Sequence, residues 1–287
     1  MKSFEGRPAR ADAAFRWLAV GSAAVVLVVL GLIAVVMTAR SIPVLRQMGL
    51  AFFTSRRWSP ADNEYGALPF IWGTVYTSVM ALAIAVPISL GVALFIAEVA
   101  PPRIKRPLIY LVDLLAVVPS VVFGLWGIVK LAPILGRSFF TAALILAMMI
   151  TPIVTSLSRE IIETTPGAQK EAAFALGATR WEMIWGSIWP HSKGALVGAI
   201  LLGLGRALGE TIAAALTIGS AIGPISLDPL VPGNSMPAVI ANEWGEAFET
   251  QKSALIALAM LLFAITIGVN LVATTIVQRS IALREAA

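Results

Sequence analysis

The sequence predicts an all-α membrane protein of six transmembrane helices, and three observations predict it. The 287 residues are 58% apolar and 13% charged, with a mean hydropathy of +0.87. Soluble domains run nearer ~45–50% and ~25%. Six apolar stretches are each long enough to cross ~30 Å of hydrocarbon at ~1.5 Å per residue. Lys and Arg gather on alternate connecting segments, as they do in a chain that threads a membrane. This composition excludes an ordinary soluble domain and a disordered chain. With no cysteine there is no disulfide, thiolate metal ligand or cysteine nucleophile. The single histidine, His191, leaves no histidine-based metal cluster or catalytic dyad. The net charge of +5 comes without basic and aromatic residues interleaved on a polar segment, so nucleic acid is not an expected partner.

The spans follow in order. Trp17–Ala39 carries no charge and follows Lys2, Arg7, Arg10 and Arg16. Its apolar core is too long for a secretory leader and no small-x-small cleavage site follows, so it reads as an uncleaved first helix. The second span is expected at Thr74–Ala97, within the uncharged run between Glu64 and Glu98. Leu108–Val129 is interrupted only by Asp113, and Ser138–Ser158 is uncharged. Gly194–Leu227 is apolar except for Arg206 and Glu210, and Ser253–Gln278 is uncharged. Pro87, Pro119 and Pro152 fall inside or near spans, which is tolerated where neighbouring helices satisfy the freed backbone groups. That favours a packed bundle. No repeat or low-complexity segment interrupts it, so residues 17–278 read as one polytopic domain between short tails, 1–16 and 279–287.

An even number of spans puts both termini on one side. Thirteen Lys and Arg fall on that side and seven on the other, so both tails are expected in the cytoplasm.

The longest cytoplasmic segment is then 159–193. Thr165-Pro166 reads as an N-cap followed by proline at the first helical position. Residues 168–176 are rich in helix formers, and Gly177 suits a left-handed stop. Thr179 and Glu182 form a capping box. Trp181, Ile184, Trp185 and Ile188 follow at helical spacing, and Pro190 closes the second helix. Periodicity alone leaves two readings open: a helix pair resting at the headgroup level, or a docking element for a soluble partner.

Glu171-Ala172-Ala173, followed by Gly177 and then Pro190, resembles the EAA loop of ABC importer permeases. The family's Ile and Leu before that proline are replaced here by Ser187 and Trp189, with Ile188 between them. The resemblance implies that this loop is a coupling helix seated in a cleft of an ATP-binding subunit. Further segments are similar to PstC-type permeases of the bacterial phosphate importer. These are Gly66-Ala67-Leu68-Pro69-Phe70-Ile71, Pro119-Ser120-Val121-Val122-Phe123-Gly124-Leu125-Trp126-Gly127, Gly205-Arg206-Ala207-Leu208-Gly209-Glu210-Thr211 and Ala241-Asn242-Glu243-Trp244-Gly245-Glu246-Ala247. That likeness implies a bacterial inner-membrane subunit carrying inorganic phosphate. Its partners would be a PstA-type sister permease, two ATP-binding subunits and an external phosphate-binding protein. No enzyme activity and no cofactor are expected. The chain has no Gly-x-x-x-x-Gly-Lys-Ser/Thr loop, so the usual ATP cradle is missing from its sequence.

Arg206 and Glu210, four residues apart on the fifth span, are expected to share one helix face. Their order, base before acid, is poor for a helix dipole. Gly205 with Gly209, and Gly219 with Gly223, would let a neighbouring backbone approach. Two readings stay open: a salt bridge bracing the bundle, or a guanidinium fork that meets a passing anion. Asp113 reads as snorkelling to water, Glu98 as a boundary charge and His191 as a solvated interfacial residue. Asp228, Glu243, Glu246 and Glu249 read as a solvated acidic face. Sulfate or molybdate is the alternative cargo, and an ion-coupled carrier the alternative class.

Overall fold

The computed structural model describes residues 10–223 and 225–285. Most of the expected N-terminal tail lies outside the described residues, as do the last two residues of the C-terminal tail. Among the described residues, five helices are long and apolar enough to cross a membrane. They are α1 (Arg10–Met48), α2 (Leu68–Val99), α5 (Phe139–Glu163), α7 (Arg180–Gly209) and α10 (Glu249–Glu285). Between them lie α3 (Pro102–Val117) and α4 (Ser120–Leu135), the short α6 (Gly167–Ala175), α8 (Ile212–Thr217) and α9 (Met236–Glu243). Long apolar segments become helices because in lipid every backbone polar group must find its partner within the segment.

Two spans depart from the sequence expectation. The third is not one helix over Leu108–Val129. It is α3 and α4, bent by 87° at Val118-Pro119. The proline ring bars Val118 from helical geometry, and its ψ of 127° is extended. The fifth does not run through Gly194–Leu227. Helix α7 begins earlier, at Arg180, and stops at Gly209, and Glu210 is extended with ψ 121°. After α8 the chain is non-helical, because Gly219 (φ 102°) and Ser220 (φ 56°) are left-handed. The composition stays apolar to Leu227, but the backbone at Gly219 and Ser220 cannot continue a helix.

Helices α2 and α5 form the centre. Ala81 and Ala85 of α2 meet Leu146, Ala147 and Ile150 of α5, and Ala207 of α7 closes the same cluster. Small side chains allow the close approach that helices need in lipid. Ser89 Oγ donates to the Thr151 carbonyl at 3.2 Å and fastens the two helices. Of the four glycines expected to admit a neighbour only Gly219 is tight, a Cβ there lying 2.6 Å from Pro232 and 3.0 Å from the Arg137 carbonyl oxygen. Gly209 and Gly223 have open space where a Cβ would stand, whereas one at Gly203 would lie 2.7 Å from Val154 and one at Gly73 would lie 1.8 Å from the Asn234 carbonyl oxygen.

One end of the bundle is capped. A two-stranded antiparallel ribbon, β1 (Trp58–Ser59) and β2 (Glu64–Tyr65), sets Trp58 opposite Tyr65. Both rings and Phe70 are buried with Phe52, Met236 and Leu255. Glu243 belongs to this cap, not to a solvated acidic face: its Oε2 accepts from Trp58 Nε1 at 3.0 Å and from Gln251 Nε2 at 2.8 Å. The 218–235 segment is laced over the same end. Trp72 Nε1 donates to the Ser226 carbonyl, Tyr76 Oη to that of Leu227, and the Phe140 N–H to that of Pro229.

Candidate functional site

Two features carry the expected site residues: a hairpin at the uncapped end and the break between α7 and α8.

The hairpin is α6, a turn at Gly177, and the start of α7. Gly177 has φ 82°, which only glycine adopts without penalty, and open space surrounds its missing Cβ. Its N–H reaches the Phe174 carbonyl at 2.9 Å while that of Ala178 reaches Ala173 at 3.1 Å. This paired pattern closes the end of α6. The capping box forms as expected. Thr179 N–H donates to Glu182 Oε2 at 2.7 Å, and Glu182 N–H donates to Thr179 Oγ1 at 3.3 Å.

Three details differ from the sequence reading. The residue capping α6 is Pro166; Thr165 is buried and its hydroxyl lies 3.4 Å from that of Ser192. Pro190 does not end the second helix. A π turn at Ile184–Ile188 precedes it, and that wider winding accommodates the proline, so α7 runs on into the span. The apolar stripe also divides. Ile184 and Ile188 are buried against Ala93 and Ile162, but Trp181 and Trp185 are exposed. Trp181, Trp185 and Trp189 follow one another ring to ring at 5.7 and 5.4 Å.

The EAA residues sort by face. Glu171, Ala172, Gly177 and Pro190 are exposed, whereas Ala173 packs inward against the Met183 and Ile188 cluster. A groove of about 900 Å³ runs between α6 and α7, lined by Ala172, Leu176, Glu182, Ser187, Pro190 and His191. His191 therefore borders this groove. Leu176 is 90% exposed at its rim.

The sequence reading missed what anchors the hairpin. Lys170, next to Glu171, turns inward and pairs with Glu98 at the end of α2, Nζ to Oε1 2.5 Å. Arg180 Nη1 donates to the Glu98 backbone carbonyl at 3.2 Å. Around this point Lys105 and Arg159 each pair with Glu163 at 3.1 Å. The one available signal was that Glu98, near a helix C-terminus, opposes the helix dipole and calls for cations. Asp113 also has a partner, accepting from Ser156 Oγ at 3.1 Å.

At the break, Arg206 and Glu210 are not paired with each other. Arg206 lies in the last turn of α7, roughly 20 Å along the helix beyond Lys193. It is exposed, and among the described residues no ion pair includes it. Glu210 Oε1 instead accepts from the Ala213 N–H at 3.3 Å, capping α8. The order that is poor for one helix is good for two. A cation stands at the negative end of α7 and an acid at the positive end of α8. The result is a guanidinium on an exposed bundle face with no ion pair among the described residues, next in sequence to Gly205, which faces Asn270 of α10.

Residues 89–282 match the family of binding-protein-dependent transport system inner membrane components, and the chain belongs to that class of membrane permease. Within the class it belongs to the PstC phosphate transport system permeases. It is 39% identical to PstC of Xylella fastidiosa, covering 95% of this chain and 92% of that one. It is 36% identical to PstC of Mesorhizobium japonicum, with 95% and 92% covered. With PstC 2 of Mycobacterium tuberculosis the identity is 37%, with 94% and 93% covered. The fold is shared with a chain of the inward-facing MetNI methionine ABC transporter, at a TM-score of 0.62 and 16% identity, over 74% of this chain and 94% of that one. An amino acid ABC transporter crystallised with histidines aligns at a TM-score of 0.54 and 19% identity, over 73% and 92%.

Proposed function

We propose that this chain is a permease subunit through which inorganic phosphate enters the cell, working beside a sister permease of the PstA type. Two ATP-binding subunits would dock on the hairpin and an external phosphate-binding protein would deliver the anion at the capped end. The observation that carries the cargo reading is Arg206, an exposed, always-charged guanidinium at a helix break within a span. A fixed charge costs about 2.5–3.5 kcal/mol at a helix centre on insertion scales, and the roughly 0.3–1 kcal/mol that a cation gains in the last turn of a helix does not by itself offset a cost of that size. The planar fork of Arg206 matches phosphate oxygens. Glu210 holds the start of α8 beside it.

The hairpin supports the docking reading. It presents Glu171, Ala172 and a groove ending at Pro190, with small side chains that allow close contact, and its exposed Leu176 and Trp181 need a partner surface or the lipid headgroups. The Lys and Arg count supports placing the hairpin and both termini in the cytoplasm, with residues 17–278 acting as one domain. Because the natural chain lacks cysteine, single cysteines at Glu171 and Asp62 would report the two sides by impermeant labelling. The cargo is tested by uptake of labelled phosphate into cells that depend on this subunit. Competition by unlabelled phosphate but not by sulfate or molybdate is the expected result, and equal competition by sulfate would move the cargo to that oxyanion. Reconstitution of the chain alone addresses the carrier alternative: it should move no phosphate without the ATP-binding subunits.

A further inference from the structure

We propose that Glu98 is a positioning residue that passes movement of the hairpin into α2. The inference rests on the reading of the hairpin as the ATPase-docking element and says how its motion reaches the membrane core. Both arms of the hairpin grip this one residue. Lys170 of α6 holds the carboxylate at 2.5 Å, and Arg180, the first residue of α7, holds the backbone carbonyl at 3.2 Å. The carboxylate side chain is only 11% exposed, and that of Lys170 only 20%. A charge so shielded from water is stable only while paired, so the two residues move together or the contact breaks at a cost.

Glu98 sits in a π turn, Phe95–Val99, that ends α2. Such turns leave carbonyls outside the regular ladder and recur at functional sites. Here those carbonyls are taken by outside cations: Lys105 Nζ reaches that of Ala97 at 3.4 Å, and Arg180 reaches that of Glu98. An acid in this position works against the dipole of its own helix, so local helix stability does not account for it. Helix α2 packs along α5 and α7 through Ala81, Leu146 and Ala207, and the last of these adjoins Arg206. A pull on Glu98 therefore acts on the helix that packs against the base of the α7 break. The apolar cluster of Met183, Ile184 and Ile188 also holds the hairpin, but such contacts slide where a shielded ion pair does not.

The test is a double-mutant cycle in the full importer, reconstituted with sister permease, ATP-binding subunits and binding protein. Glu98→Gln, Lys170→Met and the double variant are compared for retained ATP-binding subunit and for phosphate moved per ATP hydrolysed. Retention should stay at the wild-type level in all three. Phosphate per ATP should fall at least about fivefold, the lower end of usual coupling effects. The double variant should lose no more than the worse single one, because the two residues act as a unit. An unchanged ratio in Glu98→Gln would overturn the proposal, and so would losses that multiply in the double variant. Should Glu98→Gln fail to assemble, the double variant leaves no shielded charge unpaired and carries the same expectation: a wild-type ratio there overturns the proposal. Gly177→Val, run in parallel, separates the two levels. If it leaves retention and coupling intact, the docking reading itself falls; if it uncouples while Glu98→Gln does not, only the role of Glu98 falls.

Discussion

Glu210 is bonded to Ala213, its carboxylate accepting the backbone N–H at 3.3 Å across the first turn of α8. The bond makes Glu210 a cap and leaves Arg206 without its expected counter-ion. Glu210→Gln keeps an oxygen acceptor and should change thermal stability little. Glu210→Leu removes the cap and should cost about 1 kcal/mol. Thermal unfolding of the purified complex checks both. A Glu210→Leu protein as stable as wild type would remove the cap from the account.

Arg206→Ala should lower phosphate uptake about tenfold or more, since a charge-assisted hydrogen bond contributes roughly 1.5–3 kcal/mol. Insertion and expression should be normal, because Arg206 is exposed and no ion pair among the described residues depends on it. Arg206→Lys should recover only part of the uptake, a point charge replacing a planar fork. Labelled phosphate uptake at matched membrane levels decides it, and full uptake in Arg206→Ala would end the claim that this guanidinium meets the anion.

Gly73→Ala should destabilise the capped end. A Cβ at this position would lie 1.8 Å from the Asn234 carbonyl oxygen and 3.2 Å from the Phe139 ring. The oxygen belongs to backbone that cannot swing aside, and Asn234 immediately precedes Ser235, which caps α9. Overpacking of this kind typically costs 1–3 kcal/mol, about 2 kcal/mol being expected here. Limited proteolysis of the 218–235 segment, with thermal unfolding, measures it; protection equal to wild type would mean the segment is less tightly seated than its hydrogen bonds indicate.

What the residues revealed in advance follows from what one-dimensional patterns encode. Charge-free runs marked the spans because burial in lipid is a property of composition. The hairpin was legible because Gly177, Thr179 and Glu182 each act within three or four residues of sequence. The breaks at Pro119 and Glu210 were hidden because apolar content continues across them while the backbone does not. The Arg206–Glu210 spacing misled for a related reason: the helix ends at Gly209, and the Glu210 carboxylate is taken by the N–H of Ala213 beyond the break. The Glu98–Lys170 pair joins residues 72 positions apart, and no local pattern links them.

At Gly177, φ is 82° and nothing lies within 4 Å of where a Cβ would stand, so a side chain there meets a conformational penalty and no steric one. That penalty is about 1–2 kcal/mol for an ordinary L-residue and larger in effect for a β-branched one. Gly177→Val should therefore open the bond pair from Gly177 and Ala178 back to Phe174 and Ala173, and re-aim α6 relative to α7. The groove between Ala172 and Pro190 would lose its shape, while the spans, which do not depend on this turn, would stay inserted. Gly177→Asn separates conformation from mere bulk, because asparagine enters the left-handed region readily yet still adds a side chain of substantial size. Retention of the ATP-binding subunits and phosphate-stimulated ATP hydrolysis should fall in Gly177→Val and stay near wild type in Gly177→Asn. Equal losses in both would mean that space outside the turn is what matters, filled by a docked partner pressing on Gly177. Full association and coupling in both would leave the hairpin an interfacial rest with no part in driving transport.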